Sequence, residues 1–93
     1  MDGLDVMTTG LTHTEDHSLR RYLSRSGWSP GEVDATLTGD MRTITRACPG
    51  HLHDLAWHVD LWATARELAG RACPAGIDLA DRIRTTAEQE HTP

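Results

Sequence analysis

The chain contains no lysine and no phenylalanine, and only one tyrosine among its 93 residues. All nine basic residues are therefore arginine. The missing lysines exclude a Schiff-base nucleophile, a lysine general base and the lysine of a Walker-type phosphate loop. Large apolar side chains are scarce too: Leu, Ile, Val and Phe make up 16 of the 93 residues, about 17%. A domain this small buries a limited share of its surface, so the core must be completed by other residue types or by a partner. No apolar run is long enough to cross a bilayer. Residues 1–10 carry two Asp and no basic residue, which is not the pattern of a secretory leader. A cytoplasmic location is expected, with both cysteines as free thiols.

What is present points to helices. Thr12 and Glu15 have capping-box spacing, and Leu19, Tyr22 and Leu23 follow on one face. Gly27 suits the left-handed turn that closes such a helix. Ser29-Pro30-Gly31-Glu32 repeats the start signal with proline at the first helical position. Val33, Leu37, Met41, Ile44 and Cys48 then trace a narrow apolar stripe, weakened by Gly39. After Pro49 two apolar rows run side by side, Leu52-Leu55-Val59-Trp62 and Leu61-Ala65-Leu68-Ala72. So wide an arc belongs at the centre of an assembly. Pro74 opens a last helix with Ile77, Ala80, Ile83 and Ala87 on one side. The expectation is an all-α, antiparallel four-helix bundle with helices at about 13–26, 30–47, 50–71 and 75–89. Residues 1–12 are expected as a flexible N-terminal segment and 13–90 as the helical domain.

Arg46-Ala47-Cys48-Pro49 recurs as Arg71-Ala72-Cys73-Pro74, each at a helix junction. A continuous helix between them would hold the cysteines roughly 33 Å apart. A disulfide tolerates less than about 7 Å between Cα atoms, so Cys48 and Cys73 should not pair with each other.

Three chemistries can be placed on this frame. His51, Asp54 and His58, at steps of three and four, share a helical stripe. Two imidazoles and a carboxylate would suit a divalent transition metal, with positions left open for substrate. A plain helical His–Asp contact uses the same spacing. His13 and His17 form a second, more solvated pair. Cys48 and Cys73 lie beside helix starts, where a thiol pKa is lowered, although buried cysteine more often serves packing. The third chemistry is association. Trp57 and Trp62 cannot share one narrow stripe, so at least one should reach beyond the core. Trp57, Trp62 and Leu61 are the candidate interface of a self-associating or partner-binding protein. The first two helices could pass for a helix-turn-helix with five arginines in residues 19–48, but the net charge of −5 argues against nucleic acid as partner. Asp16-His17-Ser18-Leu19 faintly echoes the attachment site of acidic carrier proteins, and the short lead-in before it argues against that role.

Two resemblances follow from these residues. Cys48-Pro49-Gly50, Asp54-Leu55, His58 and Trp62-Ala63 resemble the opening segment of the DinB-like helical metalloproteins and mycothiol-dependent maleylpyruvate isomerases. That likeness covers residues 48–63 and implies a metal-ligand role for His58. Glu32-Val33, Leu37-Thr38-Gly39, Met41-Arg42, Gly50-His51-Leu52, Val59-Asp60 and Ala80-Asp81-Arg82-Ile83-Arg84 resemble short uncharacterised actinobacterial helical proteins labelled as natural-product biosynthesis proteins. This second likeness implies an accessory role in such biosynthesis and supplies no catalytic residue.

Overall fold

The computed structural model describes residues 9–91 and folds them into five helices: α1 (His13–Arg25), α2 (Pro30–Thr38), α3 (Met41–Ala47), α4 (Leu52–Leu68) and α5 (Pro74–His91). Both capping boxes form. The Glu15 amide donates to Thr12 Oγ1 at 3.2 Å and the Thr12 amide to Glu15 Oε1 at 3.0 Å. Ser29 and Glu32 repeat the exchange at 2.9 and 3.3 Å, with Pro30 as the first residue of α2. Four orphan amides at each helix start make such caps worth about 1 kcal/mol apiece.

The helix expected over 30–47 is two helices, which raises the count from four to five. Gly39 closes α2 in the left-handed region at φ +71°, and Asp40 starts α3 by accepting from the Arg42 amide at 3.0 Å. The Arg42 amide and the Thr43 side chain hold the Asp40 carboxyl below its ordinary pKa. A glycine inside an apolar stripe can weaken a helix or end one. Here tertiary packing decides, because a Cβ on Gly39 would lie 3.1 Å from Thr9 Cγ2.

That contact also ties the end of the lead-in to the fold. Thr9 and Leu11, expected in a flexible segment, are buried, and Leu11 is completely so. Residues 1–8, the rest of that expected segment, lie outside the described residues.

The α4–α5 pair is the main packing unit. α1 packs on α2 and α4, while α3 packs on α2 and α5. Close approach of α4 and α5 depends on Gly76, where a Cβ would meet Trp62 Cζ3 at 2.8 Å and Ala63 Cβ at 3.0 Å. Leu19, Leu23, Ile44, Leu55, Val59 and Ile83 form the fully buried centre. Cys48 and Cys73 are free thiols buried in the same core. None of the described helices is long and apolar enough to cross a membrane.

Candidate functional site

The two apolar rows of α4 have opposite fates. Leu52, Leu55, Val59 and Trp62 are buried, whereas Leu61, Ala65 and Leu68 are exposed, as is Ala72, which lies past the end of α4 because the helix stops at Leu68 and not at 71. The helix is therefore covered on one side only. At 100° per residue, Leu61 points about 180° away from Leu52, straight out from the core. Trp57, Leu61 and Leu68 are 57, 41 and 85% exposed. With Asp54 and Thr64, also exposed, they form an outward ridge at steps of three and four.

Trp62 does not belong to that ridge. It is 5% exposed, and its indole N–H donates to Ser18 Oγ at 3.0 Å, tying α4 to α1. Burial of an indole with its N–H satisfied is a core role, so of the three residues expected at an interface Trp62 is core while Trp57 and Leu61 face solvent. Leu68 is the surface residue that sequence reasoning missed. Its seven-residue spacing from Leu61 was the available signal, but Leu52 and Val59 have the same spacing and are buried.

The His51, Asp54 and His58 stripe meets the α1–α2 turn. These three line an open cleft of about 330 Å³ together with Trp28 and Glu32. Gly27, at φ +98°, makes the turn that brings Trp28 there. Trp28 sits edge-on to His51 and His58, with ring centres 6.3 and 5.8 Å away. Tyr22 and Trp57 also approach the His58 ring, at 6.1 and 5.1 Å. His58 Nδ1 lies 2.8 Å from the Asp54 carbonyl oxygen, so that nitrogen carries the proton and donates. Only Nε2 remains as a lone-pair donor. Among the described residues, no group of three or more His, Cys, Asp or Glu is arranged to hold a metal ion. The stripe is gathered into an aromatic–imidazole cluster, and its helical spacing alone does not make a coordination sphere.

Neither cysteine has the environment of a nucleophile. Burial, reinforced by nearby Glu32, pushes the Cys48 thiol up to about 11, and burial also raises Cys73. A thiol so shifted holds almost no thiolate at neutral pH. His13 and His17 are exposed at the start of α1. Of the arginines in the supposed helix-turn-helix, Arg20 is engaged by Asp16 at 3.0 Å and Asp34 at 3.6 Å.

No protein-family model, curated protein or solved structure matches the chain.

Proposed function

We propose that the chain is a small interaction protein that docks through the outer face of α4, with a second copy of itself as the first occupant. The observation behind this reading is the outward ridge, where three large apolar side chains face solvent directly opposite the core. Every other large apolar residue that the structure describes is at least partly covered.

The ridge is self-complementary when two copies run antiparallel. Trp57 then faces Leu68 of the second copy, Leu61 faces Thr64, and Asp54 faces the end of α4 near Arg71. A parallel pairing would set Trp57 against Trp57 and Asp54 against Asp54, which like charges disfavour. The three apolar side chains offer on the order of 300 Å² per copy. That is below the roughly 800 Å² per partner of a standard interface, so the pairing is weak and concentration-dependent. An accessory role in natural-product biosynthesis, which rests on the sequence resemblance alone, and a cytoplasmic location, which rests on the N-terminal pattern and the free cysteines, are consistent with this docking role.

Sedimentation velocity on untagged protein tests the proposal. The wild type should show a weight-average mass that rises with concentration, and Trp57→Asp or Leu61→Asp should return it to 10.3 kDa without changing the circular dichroism. A wild-type mass that stays at 10.3 kDa up to about 0.5 mM would remove the self-docking reading.

A further inference from the structure

A second cleft, of about 400 Å³, opens between α1 and the C-terminal half of α4, lined by Ser18, Tyr22, Leu61, Trp62, Arg66 and Arg71 with two alanines. Its volume falls at the lower end of the range for small-molecule sites, about 300–1,000 Å³. No carboxylate lines it, in a chain whose net charge is −5.

The polar groups that converge there are almost all donors. Ser18 Oγ accepts twice, from the Trp62 indole at 3.0 Å and from Arg66 Nη1 at 3.2 Å. Its own O–H has no acceptor among the described residues. Arg66 lies over the Trp62 ring at 5.4 Å, and its Nε is buried with no acceptor. The other half-buried arginines all have carboxylates nearby: Arg20 pairs with Asp16, Arg82 with Asp78, and Arg84 with Asp60 and Asp81. Arg66 has none within ion-pair distance among the described residues, and neither does exposed Arg71 on the rim. A guanidinium fork matches the two oxygens of a carboxylate, and a cleft that presents donors selects a ligand that only accepts. Leu61, the Trp62 ring and the alanines add an apolar surface to the lining.

We infer that this cleft binds a small monocarboxylate with an apolar body, its carboxylate held by Arg66, Arg71 and the Ser18 hydroxyl and its body laid against Leu61 and Trp62. The carbonyl end of α4 carries about half a negative charge, which opposes an anion there, and two full guanidinium charges outweigh it. The cleft shares Leu61 and Arg71 with the proposed self-docking face, whereas Arg66, Ser18 and Trp62 lie off the ridge, so binding there does not require self-docking.

The test is a titration of the protein with phenylacetate, 2-phenylethanol and inorganic phosphate, followed by the Trp62 indole N–H resonance. Phenylacetate should shift that resonance saturably, with the neutral alcohol and phosphate each at least tenfold weaker. Arg66→Gln should weaken phenylacetate at least tenfold, whereas Arg21→Gln, an exposed change on α1, should leave it unaltered. Circular dichroism of each variant checks the fold. The Trp57→Asp variant should bind phenylacetate as the wild type does, which separates this inference from the self-docking reading. Equal binding of the alcohol would overturn the carboxylate role, and equal binding of phosphate would overturn the role of the apolar wall. The inference as a whole fails if Arg66→Gln has no effect or if phenylacetate produces no saturable shift.

Discussion

Gly76→Ala is the most exacting test of how α4 and α5 meet. Two opposed effects must be weighed. Replacing a helical glycine by alanine favours the helix by about 0.5–1 kcal/mol, because the unfolded chain loses freedom. Against that, the new methyl would stand 2.8 Å from Trp62 Cζ3, 3.0 Å from Ala63 Cβ and 3.2 Å from Cys73 Sγ. None of these is the far end of a flexible side chain. Trp62 is a rigid ring fixed at its other edge by the bond to Ser18, and Ala63 moves only with the α4 backbone. Forcing a methyl into so tight a contact costs about 1–3 kcal/mol. The clash should win, with a net loss of about 1–2 kcal/mol. For a domain of this size that lowers Tm by about 4–8 °C per kcal/mol. Gly31→Ala supplies the control, because Gly31 also lies in a helix but a Cβ there meets nothing within 4 Å. It should raise Tm. Thermal unfolding followed by circular dichroism reads both. A Gly76→Ala protein at least as stable as the wild type would refute the close packing of α5 on Trp62, and with it the floor of the Arg66 cleft.

Three further outcomes follow from the buried groups and the imidazole cluster. At pH 8 Cys48 and Cys73 should react with a thiol reagent far more slowly in the folded protein than in the unfolded chain; equal rates would contradict their burial. Because the folded Cys48 thiol titrates near 11 against an ordinary value of 9.0, its protonated form contributes stability that is fully present below pH 9 and is lost as pH rises through 11. Zinc at millimolar concentration should leave Tm unchanged, since the cleft offers no prearranged set of three ligands. A rise in Tm that His58→Ala abolishes would restore the metal reading of His51, Asp54 and His58.

The helix starts were legible because caps are local. Thr12 with Glu15, and Ser29 with Pro30 and Glu32, satisfy amides within three residues of themselves, so their spacing carries the whole argument. The break at Gly39 was not legible in the same way. Its decisive neighbour is Thr9, thirty residues earlier, and the cap at Asp40 satisfies only its own short helix. The candidate site divides along the same line. Sequence spacing brought His51, Asp54 and His58 onto one stripe, but it could not show that Trp28 would fold over them from the α1–α2 turn. Arg66 gave no sequence signal, because an arginine without a carboxylate partner is recognised only when its surroundings are known.

Sequence alone determined the helical class, the starts of α1 and α2, the absence of lysine chemistry and the unpaired state of the two cysteines. These depend on composition and on interactions that span a few residues. Tertiary structure decided which row of α4 faces water, which tryptophan is core, and which arginine lacks a counter-charge. Leu55 and Leu61 are chemically the same residue on the same helix. Only the position of α1 and α5 around that helix makes one part of the core and leaves the other facing water.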